Sequence, residues 1–101
     1  MNQIQFSGHL VKDPVLTETE GGMLICKFTI AINDSSGEDT EYPRIEVIGN
    51  TLAQICQNNL RKGKFCAVAA RYKTVKYQKE GETKKYEYFI VNPKKGGTVN
   101  F

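Results

Sequence analysis

The sequence has no tryptophan, one histidine, three prolines and three cysteines. Without tryptophan, any aromatic platform must come from the smaller rings of its five tyrosines and five phenylalanines. His9 stands alone with no identifiable nucleophile, so no catalytic triad can be assembled around it. There is no Cys-x-x-Cys, and one histidine with three scattered cysteines is a poor ligand set for zinc. No Gly-rich phosphate loop precedes a helical segment, and "GETKK" does not fit a nucleotide-binding loop. Acids gather in Asn33–Glu41, but a polar loop does not preorganise a metal site. We therefore expect no enzyme, no catalytic residues, no metal and no cofactor. No apolar run reaches 18 residues, which speaks against a membrane span. The start, "MNQIQFSGHLVKDP", lacks a basic segment followed by an apolar block, so a cytoplasmic location is expected. Cys26, Cys56 and Cys66 sit within apolar pattern and are odd in number, which predicts buried, reduced thiols rather than a disulfide framework.

The 101 residues are enough for one domain, residues 1–101, with a core of modest size. Their net charge of +3 hides a strong polarity. Residues 1–60 carry three cations (Lys12, Lys27, Arg44) against eight acids, net −5; residues 61–101 carry eleven cations against three acids, net +8. Such a chain has a directed field, and its basic half is where a polyanion would be drawn.

The hydrophobic period is two over most of the chain. Ile4 and Phe6 alternate with polar neighbours, as in a half-buried strand, and Gly8 marks a bulge or a close backbone approach. "KDP" and "TEGG" read as turns. "MLICKFTIAI" (23–32) places Leu24, Cys26, Phe28, Ile30 and Ile32 on one face. Asn33–Glu41 reads as a polar, acidic loop. "YPRIEVIG" (42–49) is a third strand, with Ile45 and Val47 opposed to Tyr42, Arg44, Glu46 and Ile48, and Pro43 suits a strand start or an edge. The period then changes to 3.6. In "NTLAQICQNNLRKG", Leu52, Ile55, Cys56 and Leu60 share a helical face, with Asn50 or Thr51 as cap and Gly63 as stop. Lys64–Tyr77 is a long fourth strand, "QKEGETK" its tip, and "KYEYFIV" the returning fifth; the tail adds a short closing strand. The order, three strands, a helix, then two strands, predicts an all-β, five-stranded Greek-key barrel of the OB-fold type with one helix between strands 3 and 4.

The stretch "ARYKTVKYQKEGETKKYEYFIV" (70–91) holds four of the five tyrosines and six of the fourteen Lys/Arg residues. If Val68 faces the core, then Ala67, Ala69, Arg71, Lys73, Val75, Tyr77 and Lys79 line the outer surface. Small residues admit a flat base, cations hold phosphates, and a ring gives a base something to stack on. Tyr42 and Arg44 repeat the pairing of ring and cation. A purely structural reading competes with this: Tyr72, Tyr86 or Tyr88 as core residues with wet hydroxyls, and a lysine-rich hairpin as a soluble edge. Against it, the cations are not balanced by local acids and the rings lie inside the cationic run.

"MNQIQFSGHLVKDPVL", "CKFTIAIN", "EYPRIEVIGNTLAQICQNNLRKG" and "ARYKTVKYQKEGETKKY" together resemble the bacterial single-stranded DNA-binding protein family, in order and over nearly the whole chain. The resemblance implies an OB-fold that binds single strands without cofactor or catalysis, usually as a homotetramer. It places Tyr42 at an aromatic stacking position and Arg44 at a basic one, Tyr77 at the aromatic position of the fourth-strand hairpin with basic Lys76 before it, and Lys62 at the lysine after the helix. The sequence departs from the family's pattern at Ile48, where an aromatic is usual, at Pro43, where histidine is common, and in its short, acidic second-strand loop. No Gly/Gln-rich linker or acidic tip lies within these residues. These departures point to a small or mobile-element type of member and leave room for a primosome-type, PriB-like relative.

The reading is thus non-sequence-specific single-stranded DNA binding, in replication, recombination or repair. Phosphates would follow Arg71, Lys73, Lys76 and Lys79, with Arg44 and Lys62 contributing, and bases would stack on Tyr42 and Tyr77. The expected partners are single-stranded DNA, further copies of the chain in a dimer or tetramer, and replication or recombination proteins. The alternatives are an OB-fold adaptor acting mainly through protein contacts, and a binder of single-stranded RNA. Glu38, Asp39 and Glu41 would repel phosphates, so the acidic loop should stand off from the strand or face a basic partner.

Overall fold

The computed structural model describes residues 1–33, 36, 37 and 39–101. Asp34, Ser35 and Glu38, all within the expected acidic loop, lie outside the described residues. The elements are β1 (Ile4–Leu10), β2 (Val15–Glu18), β3 (Leu24–Asn33), β4 (Thr40–Glu41), β5 (Arg44–Ile48), α1 (Asn50–Asn59), β6 (Phe65–Lys79), β7 (Glu82–Val91), a 3-10 turn (Pro93–Lys95) and β8 (Thr98–Asn100). The five expected strands are β1, β3, β5, β6 and β7. They pair in the order β1-β3-β5-β7-β6, and β6 returns to β1, closing a barrel. All neighbouring pairs in that ring are antiparallel except β5 with β7. This is the five-stranded OB-fold arrangement, with the helix between the third and fourth long strands.

Alternation builds the core. Cys26, Phe28 and Ile30 of β3 face inward with Ile45 and Val47 of β5, Cys66, Val68 and Ala70 of β6, and Val91 of β7. Gly8 lies where β1 leaves β6 for β3, with His9 paired to Ala31. A Cβ at Gly8 would collide with the carbonyl oxygen of Ala31, so of the bulge and the close approach that the sequence left open, the close approach is present and admits no side chain.

Several local expectations are corrected. Val15–Glu18 is a strand on the edge of β3, too short to show a period. Thr40–Glu41, inside the expected acidic loop, pairs with Ile32 and Asn33. Tyr42 and Pro43 precede β5 rather than belonging to it. The hairpin tip is only Glu80–Gly81; both have positive φ, 55° and 80°, as the tight two-residue hairpin turn requires. On α1 the inward residues are Ala53 and Cys56, followed by buried Leu60 at the C-terminal cap, while Ile55 is 42% exposed. Neither Asn50 nor Thr51 caps the helix; Gly49 occupies that position without a side-chain bond. The Asn50 side chain instead accepts the Leu24 N–H at 2.9 Å and donates to the Gly22 carbonyl at 3.4 Å, tying the β2–β3 turn to the helix. At the other end, Arg61 donates to the Gln57 and Leu60 carbonyls, as a cation at a helix C-terminus should.

The three cysteines are free and buried in this core. Burial pushes the thiols of Cys26 and Cys66 up to about 11 and that of Cys56 to about 12. Unfolded thiols ionise near 9, so between that pH and about 11 the unfolded chain loses protons the folded chain keeps. Stability from buried thiols is therefore full below pH 9 and declines as pH rises. Melting measured from pH 7 to 10.5 should show this decline, and Cys56→Ala should flatten it; an identical alkaline slope in the variant would remove Cys56 as a source.

Gly8→Ala should destabilise the fold by about 1–3 kcal/mol or more, the usual range for overpacking. Since about 1 kcal/mol shifts a domain of this size by roughly 4–8 °C, thermal melting resolves the effect. An unchanged melting temperature would mean that β1 and β3 separate freely at this point.

Candidate nucleic-acid interface

Side chains opposite one another in register leave the sheet on the same side. The Glu80–Gly81 turn starts the β6–β7 register at Lys79 with Glu82, and the pairs then run Tyr77–Lys84, Val75–Tyr86, Lys73–Tyr88 and Arg71–Ile90 on the outer face. The outer row continues from Ile90 to Glu46 of β5, Lys27 of β3 and Val15 of β2. One surface thus crosses five strands.

Three tyrosines form a ladder on it. The Tyr77 and Tyr86 ring centroids are 5.9 Å apart, and those of Tyr86 and Tyr88 5.8 Å. The Arg44 guanidinium carbon sits 5.2 Å from the Tyr86 centroid, a cation–π geometry. Beside the ladder is a groove of about 470 Å³, lined by Lys12, Asp13, Val15, Lys27, Arg44, Glu46, Tyr86 and Tyr88 among others. Lys12, Lys27 and Arg44 are the three cations of residues 1–60, and all of them reach this groove. Burial, with the nearby Glu46 carboxylate and then Tyr86, raises the Tyr88 phenol above its ordinary value; it stays a neutral donor near neutral pH.

The sequence-predicted residues divide between two faces. Arg44, Arg71, Lys73, Tyr77 and Lys79 share the outer face. Lys76 turns the other way, opposite Lys85. Tyr42 is 60% exposed and borders a second cavity of about 490 Å³ with Phe6, Ile32, Glu87 and Phe89; Glu87 and Phe89 have the parity opposite to Tyr86 and Tyr88. Arg44 borders both cavities. Lys62 lies in the turn after α1, where its N–H donates to Asp13 Oδ1 at 2.9 Å, beside the groove that Asp13 lines. Ala67 and Ala69 lie away from the tyrosines, between β1 and β8, with Ala69 only 7% exposed. Tyr72 shares the core parity yet is 44% exposed, its ring edge-on to Phe89 at 5.8 Å.

Sequence reasoning missed Tyr86, Tyr88, Lys84, Lys12 and Lys27 as parts of this surface. For the tyrosines and Lys84 a signal existed: a two-residue Glu-Gly turn sets the register, and the register sets the parity. Lys12 and Lys27 carried none, because they reach the groove only through the packing of β2 and β3 beside β5. Among the described residues, no group of three or more His, Cys, Asp or Glu side chains is placed to hold a metal ion, and no helix is long and apolar enough to cross a membrane.

The closed barrel is of the OB-fold type, and its outer face carries a ladder of rings between cations. Residues 1–94 match the single-strand binding protein family, SSB, and the chain belongs to that family. It is 38% identical over 79 residues to the single-stranded DNA-binding protein of Caldanaerobacter subterraneus subsp. tengcongensis, a match covering 73% of this chain and 52% of the relative. It is 33% identical over 93 residues to the single-stranded DNA-binding protein of Bacillus cereus, covering 87% and 53%. The chain thus spans about half the length of these relatives. Among solved structures, the Plasmodium falciparum SSB complex with ssDNA superposes with a TM-score of 0.88 at 24% identity, covering all of this chain and 94% of that one; at that identity the likeness is one of fold.

Proposed function

We propose that this chain binds single-stranded DNA without sequence preference, stacking bases on Tyr77, Tyr86 and Tyr88 and holding phosphates with Arg44, Lys73, Lys12 and Lys27. The carrying observation is the tyrosine ladder with Arg44 over its middle ring. Bases present a π-face whatever their identity, so rings in series give affinity without readout of sequence. A duplex hides those faces. Nothing in this reading asks for a bond to be broken, and the chain is assigned no catalysis. It acts in replication, recombination or repair, where single strands are exposed, and in more than one copy: among the described residues β1 pairs in register with β3 only at His9 and Leu10, leaving the edge of residues 4–7 away from β6 for another strand.

A second reading, an adaptor working through protein contacts, draws on the Tyr42 cavity. Its apolar floor of Phe6, Ile32 and Phe89 is fringed by Glu41 and Glu87 with Arg44 as the one cation, a setting poorer for phosphates than the ladder groove and suited to a basic, apolar segment.

Fluorescence anisotropy with oligo-dT, oligo-rU and duplex DNA separates the readings. Oligo-dT should bind far tighter than duplex at equal salt, and log affinity should fall with log salt by about 0.7 per phosphate neutralised. Equal affinity for duplex, or a flat salt response, would favour the adaptor; a clear preference for oligo-rU would reassign the ligand to RNA.

Tyr86→Ala should cost about 1–3 kcal/mol of binding with the salt slope nearly unchanged, and Tyr86→Phe should restore most of it. Tyr42→Ala should cost less, because its ring borders the other cavity. Melting curves alongside separate lost affinity from lost fold. A greater loss at Tyr42 than at Tyr86 would move the stacking surface to that side of the hairpin.

A further inference from the structure

Beyond the tyrosine ladder, the outer face ends in a separate cavity of about 300 Å³. Arg71 and Lys73 enter it from β6, and Lys95 from the 3-10 turn that follows β7. The rest of the lining is Asn2, Ile48, Tyr72, Ile90 and Asn92. No carboxylate is among them, whereas the groove beside the ladder holds Asp13 and Glu46 with its three cations. Three cations on one small concavity without an acid repel one another and concentrate the local field. An anion placed there relieves the repulsion, and a concave site screens it from water more than an open surface does.

The walls of this cavity are braced. Asn2 bonds the backbone of Tyr72 in both directions, donating from Nδ2 to its carbonyl at 3.0 Å and accepting its N–H at Oδ1 at 2.9 Å. The 3-10 turn is closed by Asn92, whose side chain accepts the Lys94 N–H at 3.0 Å and whose carbonyl accepts the N–H groups of Lys95 and Gly97, both at 2.9 Å. Lys73, which pairs with Tyr88 of the ladder, also lines this cavity, so the two surfaces share a residue.

We infer that the Arg71–Lys73–Lys95 cavity is a phosphate subsite, which takes a backbone phosphate of the strand where it leaves the tyrosine ladder. This extends the proposed single-strand interface to the turn after β7 and makes Lys95 a ligand of the strand; it rests on the single-strand reading.

Lys94 supplies the control: it is adjacent, equally charged and on the same turn, but it is not part of this lining. Binding to a long oligo-dT is measured across about 50–200 mM salt for wild type, Lys95→Ala, Lys94→Ala and Tyr77→Ala, with melting curves for each. Loss of one phosphate contact makes the slope shallower by about 0.7. The advantage of wild type over Lys95→Ala should therefore shrink about 2.6-fold across that fourfold range of salt, with Lys94→Ala tracking wild type. Equal losses in the two lysine variants would reduce the effect to overall charge and overturn the subsite. Pyrophosphate binding to wild type that disappears in Lys95→Ala while the strand's salt slope is unchanged would assign the cavity to a free phosphate ligand and overturn the strand assignment. Tyr77→Ala reports on the ladder: if it binds oligo-dT as wild type does while the lysine contrast persists, the stacking reading fails and the phosphate subsite stands.

Discussion

Fifteen residues of β6 run in unbroken register, first against β1 and then against β7, and that regularity is what the rest of the molecule hangs on. At one end Cys66, Val68 and Ala70 must enter the core. At the other, Glu80–Gly81 must close a two-residue turn. Between these limits every side chain is committed to a face, because a strand has a period of two and a slip of one residue would exchange them all. Lys73, Val75 and Tyr77 are outward for the same reason that Val68 is inward. Tyr86 and Tyr88 follow because the turn leaves them opposite Val75 and Lys73.

The aromatic ladder and the core are thus two consequences of one alternation. Ring pairs at these spacings contribute about 0.5–1.5 kcal/mol beyond their buried area, so the ladder also helps hold β6 against β7 along the hairpin. Its middle ring carries Arg44, which sits on β5, the strand that joins β7 in parallel. The arm, the barrel wall and the cation meet at Tyr86.

Charge is distributed with the same sparing use of elements. The N-terminal 60 residues are acidic overall, yet their three cations converge on the groove beside the ladder. The basic half supplies the arm and the cavity after β7 without a carboxylate. The cavity beside Tyr42, on the opposite side of the ribbon, sets Glu41 and Glu87 against Arg44 alone, whereas the groove beside the ladder sets Asp13 and Glu46 against three cations. A polyanion would therefore be drawn more to one face of the sheet than to the other, and the chain belongs to a family whose bacterial relatives carry the name single-stranded DNA-binding protein.

The five long strands, the helix between the third and fourth, the close approach at Gly8 and the basic, tyrosine-rich hairpin were all legible in the sequence, because each rests on a local pattern: a period of two or 3.6, a turn dipeptide, a run of charge. Arg44, Arg71, Lys73, Tyr77 and Lys79 could be placed on one surface from parity alone. The same parity sets Lys76, one residue before Tyr77, on the other face; Tyr42 had no such signal, since the side of the ribbon a residue occupies next to a strand start depends on how β5 docks against β7. The edge strand β2, the inward turn of Ala53 rather than Ile55, and the arrival of Lys12, Lys27 and Lys95 at their cavities had no local signature. Those contacts join residues far apart in the chain, and it is packing in three dimensions, with one face of each element forced to the core, that decides which distant cations share a surface.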